Sequence, residues 1–224
     1  LAKIHLGSRG RSAHSERNYN TIESMKLPTV KEIEALHRKY APSAAAFERV
    51  FTHCQIVWDI ANQLIARNNL TVDAALVKVG CLLHDIGVYP LFDERGVIIK
   101  GVRHGVEGEI ILKNEGFSEV LWRFPSHHTG VGLSRQDVID QKLPIPVADY
   151  LAETDEELLV MYADKFHSKN NTLHDAPFFC SFERYRLEIA RFGADKVLKF
   201  DGMARRFGVP DLEPLAKKYV LEVK

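Results

Sequence analysis

The sequence predicts an all-α protein, and three observations support this fold class. Apolar residues recur every three or four positions over most of the chain after residue 28, which is the spacing of one helical face. The only stretch with strand character is the short apolar run 97–99. The composition, 46% hydrophobic and 27% charged, is typical of a globular domain.

Three helices are predicted in the first part of the chain. Residues 29–40 have one apolar face, and residues 44–66 continue the same period over a much longer helix. A third helix, residues 72–85, is an apolar run that ends in His84 and Asp85. A histidine beside a carboxylate at the end of a buried helix suits a divalent metal better than it suits a hydrophobic core.

The remaining predicted helices are shorter and are separated by polar loops. Residues 87–103 are expected to form a loop or short hairpin. Thr154 and Glu157 form a capping-box pattern, and Pro125 is expected to interrupt the helix that begins at Glu119. The predicted helices cover residues 104–116, 119–124, a short turn after Ser134, 154–167, 180–192, 194–206 and 212–223.

Charge and cysteine content exclude several classes of protein. The 30 acidic and 30 basic residues balance, which argues against binding of extended nucleic acid by phosphate neutralisation. No apolar run is expected to cross a membrane. Cys54, Cys81 and Cys180 are an odd number in apolar surroundings, so we expect free thiols in a reducing, cytoplasmic compartment.

The chain divides into three segments by composition. Residues 1–24 are polar and basic without helical periodicity, and we expect a disordered extension or a non-native leader. Residues 25–170 form the expected main domain. Residues 171–224 are expected to be a helical extension that packs on this domain, with a homodimer surface as the alternative.

Histidines and aspartates lie at or near several predicted helix ends and indicate a metal site. Imidazole and carboxylate together bind zinc, manganese, iron or magnesium. Singly, each residue has an ordinary explanation, such as a hydrogen-bonded core histidine or an aspartate paired with Lys165. Together the residues are a candidate ligand set: His53, His84, Asp85, His104, His127, His128 and Asp164.

The order of these residues resembles that of the HD-domain superfamily of metal-dependent phosphohydrolases. His53, then His84-Asp85, then Asp164 follow the pattern H…HD…D, and residues 83–87 match the HDIG subgroup of this superfamily. The chain also looks like small uncharacterised prokaryotic HDIG proteins. The resemblance covers residues 25–170 and implies a helical bundle with a metal site between its helices.

The resemblance further implies one or two divalent ions. The candidate metals are manganese, iron, magnesium, zinc, cobalt and nickel. In subgroups with additional histidines, Asp85 bridges to a second ion whose other ligands would be His104 and either His127 or His128. We favour His128 because it directly precedes a Thr-Gly pair. The implied ligands of the first ion are His53, His84, Asp85 and Asp164.

The implied chemistry is hydrolysis of a small phosphate ester or anhydride, a nucleotide being the expected substrate, by metal-activated water. Besides Asp85, the catalytic candidates are Lys165 and His127. Of these two, His127 could protonate the leaving group. Lys165, Arg103 and Arg135 are the candidates for binding phosphate, and for each the alternative is an ordinary surface charge.

Two other functions fit the same ligand pattern. Some proteins of this fold hold two irons and oxidise small molecules with dioxygen. A metal- or nucleotide-binding regulatory module with little turnover is the other alternative, although a complete ligand set argues against it. The sequence contains neither a glycine-rich phosphate loop nor the Gly-Tyr-Pro signature of the cyclic-dinucleotide subgroup.

Overall fold

The computed structural model describes residues 26–224, and the structure over this range is mainly helical. This confirms the all-α prediction, whereas the expectation for residues 1–24 lies outside the described residues. The α-helices are α1 (Val30–Tyr40), α2 (Ala44–Asn68), α3 (Ala74–Leu83), α4 (His104–Asn114), α5 (Glu119–Ser126), α6 (Arg135–Asp140), α7 (Asp155–Asp164), α8 (Phe182–Ala190), α9 (Ala194–Phe207) and α10 (Glu213–Tyr219).

Short side chains cap most of these helices where the sequence predicts a start. Thr29 forms a complete capping box with Glu32 at the start of α1. Thr154 accepts a hydrogen bond from the Glu157 amide at the start of α7, at 3.2 Å. These caps satisfy amide groups that have no partner within the helix, and they fix where each helix begins.

Two predicted helix ends are wrong for tertiary reasons. The helix after Thr154 ends at Asp164 rather than residue 167, because His167–Ser168 forms strand β1 and pairs antiparallel with β2 (Phe178–Phe179). Pro125 does not interrupt α5, which continues to Ser126. Close packing of this turn against α4 holds the proline within the helix despite its missing amide hydrogen.

Residues 87–103 contain a short hairpin-like turn, one of the two forms expected there. The Asp93 amide donates to the Val97 carbonyl oxygen at 2.8 Å and the Ile99 amide to that of Leu91 at 2.9 Å, although residues 97–99 form no regular strand. Val97 and Ile98 make only isolated bridges, to Thr172 and to Phe92 respectively. The run has only three residues and its two bridges lead to different segments, so no regular strand forms.

The core lies where α2, α3 and α7 pack against one another. Side chains such as Ile56, Leu83 and Leu159 are fully buried there. The C-terminal helices add to this core, since Phe200 of α9 is fully buried with its ring centroid 5.5 Å from that of Tyr162. Helices α3 and α7 end beside His53, which lies within α2.

The most apolar stretch is Ala74–Leu91, which by length and composition could cross a membrane. The sequence predicts no membrane-crossing stretch, because its uninterrupted apolar runs are short. Within the fold, 78% of this window is buried, as in the core helix of a globular domain.

Candidate metal centre

The candidate centre is built around the end of α3, where His84 and Asp85 follow the last helical residue. At Asp85 the backbone leaves the α-helical conformation and continues as the 3-10 turn Ile86–Leu91. Gly87 lies in this turn, and a Cβ atom there would overlap the carbonyl oxygen of His104. The missing side chain thus allows the start of α4, with His104, to approach Asp85.

Two more glycines bring a further helix to the same point. A Cβ atom on Gly108 would lie 2.6 Å from Cβ of Pro125, and one on Gly105 would lie 2.7 Å from the Pro125 carbonyl oxygen. Helices α4 and α5 therefore approach each other closely. As a result, His128, just after α5, lies beside His104 at the start of α4.

The first group of side chains joins α2, the end of α3 and the end of α7. Nε2 of His53 lies 3.1 Å from Oδ2 of Asp85, 3.0 Å from Oδ1 of Asp164 and 3.2 Å from Nε2 of His84. Nε2 of His84 lies 3.4 Å from the Asp164 oxygen and 3.6 Å from the Asp85 oxygen. Atoms about 2.1 Å from one octahedral ion lie about 3 Å apart, so these four side chains fit one divalent ion.

The second group uses the other oxygen of the same carboxylate. Oδ1 of Asp85 lies 3.7 Å from Nε2 of His104 and 3.7 Å from Nε2 of His128, and these two nitrogens are 2.9 Å apart. Within residues 26–224, neither oxygen of the fully buried Asp85 accepts a hydrogen bond of good geometry. A buried carboxylate with such oxygens, facing imidazoles on both sides, fits a site for cations.

Backbone carbonyl groups orient the imidazoles of both groups. The Nδ1–H donor is held away from the centre, so that Nε2 presents its lone pair towards Asp85. The three bonds each reach back three residues: His84 to Cys81 at 2.7 Å, His104 to Gly101 at 2.5 Å and His128 to Pro125 at 2.6 Å.

The pKa values of His104, His128 and Asp85 favour metal binding. Burial lowers the pKa of His104 to about 3 and also lowers the pKa of His128, so both imidazoles are neutral near pH 7. Burial raises the pKa of Asp85, but the Lys169 ammonium and the neighbouring His84 outweigh it and hold that pKa well below its usual range. Neutral imidazole and ionised carboxylate are the forms that ligate metals. His84 differs: burial lowers its pKa, but the Asp85 carboxylate outweighs burial and holds that pKa well above its usual value, so a metal would displace this proton.

The structure also identifies two residues that sequence reasoning missed. Nζ of Lys169 lies 2.5 Å from Oδ2 of Asp85, and Nδ1 of His167 lies 2.7 Å from Nδ1 of His53. Both residues follow Asp164 at alternate positions, a spacing that places side chains on the same side of an extended chain. The prediction of a helix through residue 167 concealed this signal.

The predicted cations have different surroundings. Lys165 is buried and donates hydrogen bonds to the His128 carbonyl oxygen at 3.0 Å and to Oδ2 of Asp164 at 2.6 Å. Arg103 pairs instead with Glu107, and Arg135 is exposed at the start of α6. Within residues 26–224, neither arginine forms an ion pair with a residue of the two groups.

His127 and His128 have different positions although they are adjacent. His128 belongs to the second group, whereas Nδ1 of His127 lies 2.7 Å from Oγ of Ser126, and its ring centroid is 6.0 Å from that of Tyr150. His127 is absent from the metal-compatible groups found among the described residues. Its assigned role as a proton donor stays a prediction.

Two curated proteins resemble the chain over this region. "Uncharacterized protein MJ0778" of Methanocaldococcus jannaschii is 38% identical over 120 residues, which are 52% of this chain and 65% of that protein. The tRNA (cytidine(56)-2'-O)-methyltransferase of Picrophilus torridus is 28% identical over 155 residues, which are 69% of this chain and 42% of that protein. The chain spans less than two thirds of the length of either relative.

A solved structure and a protein-family model also match the chain. The HD domain of the phosphodiesterase PgpH of L. monocytogenes aligns with a TM-score of 0.47 and 17% identity, over 77% of this chain and 86% of that one. The HDIG subgroup stays a prediction. The HD domain family model matches residues 50–169, more than half of the chain, and the protein therefore belongs to the HD domain family.

Proposed function

We propose that this HD-domain protein is a divalent-metal-dependent phosphohydrolase that cleaves an ester or anhydride bond of a small phosphorylated molecule, with a nucleotide as the substrate class. The arrangement of Asp85 carries the proposal. One oxygen of this carboxylate faces His53 and His84, and the other faces His104 and His128.

The residues would divide between two ions according to their positions. Asp85 would contact both ions, with His53, His84 and Asp164 completing the first site and His104 and His128 the second. Divalent ions in such sites lower the pKa of water and stabilise negative charge on phosphate oxygens. The assay described below compares the candidate metals.

The remaining groups would position the substrate and the ligands. Lys169, beside Asp85, supplies a cation next to the ligand set and is a better placed phosphate-binding group than Arg103 or Arg135. Lys165 donates two of its three N–H groups to the His128 carbonyl oxygen and to Asp164, so it orients a ligand from each group. His127 retains its proposed role of protonating the leaving group.

The test is a panel assay in which chromatography follows the release of phosphate, pyrophosphate or a nucleotide from each substrate by the purified protein. Nucleoside mono-, di- and triphosphates, dinucleoside polyphosphates and p-nitrophenyl phosphate would each be supplied with Mn²⁺, Mg²⁺, Fe²⁺ or Co²⁺, and bound metal would be measured in parallel. We expect release with at least one metal and none in excess EDTA. Bound metal without release from any substrate would contradict the proposal and favour an oxygenase or a binding module.

A further inference from the structure

A pocket of about 270 Å³ adjoins the first group of proposed ligands at Asp164. One side of the pocket belongs to the segment just after Asp164. The opposite side comes from residues beyond position 169, outside the part of the chain that matches the HD domain family. The lining residues relevant to binding are Lys165, Lys169, Phe178, Cys180, Tyr185 and Glu188.

Tyr185 lines this pocket, and its hydroxyl group is a candidate hydrogen-bond donor. Its ring is held in place by Phe200, with 4.8 Å between the two ring centroids. Among residues 26–224, no hydrogen-bond partner of the Tyr185 hydroxyl is found. Burial raises the pKa of Tyr185, so the phenol keeps its proton and acts as a donor.

Most other polar groups around the pocket are already engaged. Glu188 accepts a hydrogen bond from Nε of Arg184 at 3.0 Å, and Oγ of Ser168 accepts one from the Asn170 amide at 3.2 Å. Lys165 is bonded within the metal centre. Within residues 26–224, Lys169 pairs with Asp85 alone and keeps further N–H donors.

We propose that Tyr185 is a substrate-binding residue whose hydroxyl donates a hydrogen bond to a phosphate oxygen of a molecule held in this pocket, with Lys169 as the second donor. The proposal rests on the proposed function and adds that the C-terminal segment completes the active site. A volume of about 270 Å³ falls just below the range of about 300–1,000 Å³ for small-molecule sites, which favours a single mononucleotide or a smaller ester.

The direct test measures binding of inorganic phosphate to the full-length, Mn²⁺-loaded protein by calorimetry. Tyr185→Phe removes the hydroxyl and keeps the ring that packs on Phe200. Tyr40→Phe is the matched control, because its hydroxyl bonds Glu115 outside the pocket. We expect Tyr185→Phe to weaken phosphate binding about tenfold or more and Tyr40→Phe to leave it unchanged, since one lost hydrogen bond to a charged group has at least that effect.

Manganese content should match the wild type in both variants, and the melting temperature should match it in Tyr185→Phe, whose hydroxyl makes no hydrogen bond within residues 26–224. Unchanged phosphate binding by Tyr185→Phe, or no phosphate binding by the wild type, would overturn the proposal. Weaker binding by Tyr185→Phe without any hydrolysis by the wild type would support Tyr185 and defeat the phosphohydrolase proposal. Hydrolysis with the same KM in wild type and Tyr185→Phe would support the phosphohydrolase proposal and defeat the proposed role of Tyr185.

Discussion

Asp85 combines, in one residue, a buried charge and contacts to every part of the candidate centre. Burial alone would favour the protonated carboxyl group, yet Lys169 and the imidazoles around it favour the anion. His53 differs from the other three proposed imidazole ligands, because its Nδ1 faces His167 rather than a backbone carbonyl. The chemistry of the centre thus depends on the side chains that directly surround Asp85.

Replacing Asp85 by Asn should remove most metal binding. The substitution keeps the shape but removes the charge shared by both groups, so we expect bound Mn²⁺ to fall about tenfold or more. Metal content of the folded variant, measured after desalting, is the readout. Asp201→Asn is the control, because Asp201 pairs with Arg186 on the surface. Full metal content in folded Asp85→Asn would show that the ligands are misassigned.

His37 should make stability depend on pH. Burial lowers its pKa to about 4, and its ring is bonded to Tyr89 and to the Leu82 carbonyl. The unfolded chain takes up this proton near pH 6.5, so stability is highest above pH 6.5 and falls by about 3 kcal/mol as the pH drops to 4.

The measurement is urea unfolding between pH 4 and 7.5 for the wild type and His37→Gln. Other buried histidines contribute to the slope, so the difference between the two proteins isolates His37. We expect a shallower pH dependence in the variant. Equal slopes would mean that His37 is not neutral in the folded protein.

At the scale of elements, the centre is an assembly of helix ends brought together by close backbone approaches. The 3-10 turn after α3, the start of α4 and the end of α5 approach one another through Gly87, Gly105 and Gly108. The loop 169–175 is held by side-chain hydrogen bonds, because Arg49 of α2 donates to four of its carbonyl groups. This anchors the segment that begins with Lys169.

Gly87→Ala should destabilise the fold by about 1–3 kcal/mol, because the new methyl group overlaps the backbone of α4. The strain is steric, and separating the turn from α4 would also move His104 away from Asp85. Chemical denaturation and metal content are the readouts. Gly202→Ala is the control, since a Cβ atom there meets only the Arg205 side chain at 3.7 Å. Wild-type stability of Gly87→Ala would contradict the packing described.

At the scale of the whole molecule, one hydrophobic core supports the centre and extends into the C-terminal helices. Helix α9 buries Phe200 against Tyr162 of α7, the helix that ends in Asp164. Helix α10 packs on α2, which carries His53. Binding at the centre is therefore coupled to the stability of the entire bundle.

Removing divalent metal should lower the melting temperature of the wild type. At a free Mn²⁺ concentration one hundred times the Kd, binding stabilises the folded state by about 2.7 kcal/mol. For a domain of this size that is about 5–10 °C. Thermal unfolding with Mn²⁺ and with EDTA measures the shift, and Asp85→Asn should show little of it. An unshifted wild type would contradict a metal site.

The sequence by itself determined the all-α class, most helix positions and the order of His53, His84-Asp85 and Asp164. These features are visible because helical periodicity and neighbouring residues are local in the chain. The resemblance to HD domains, which the family match confirms, rests on the same local patterns.

Only the tertiary structure decided which further side chains face the centre. Successive residues at a helix end point about 100° apart, so His128 faces Asp85 while its neighbour His127 faces Tyr150. Lys169 lies beside Asp85 because it directly follows a short strand whose partner lies about ten residues later. Tyr185 belongs to a helix beyond the family match. Such contacts depend on how distant segments pack, and no local pattern of the sequence records that packing.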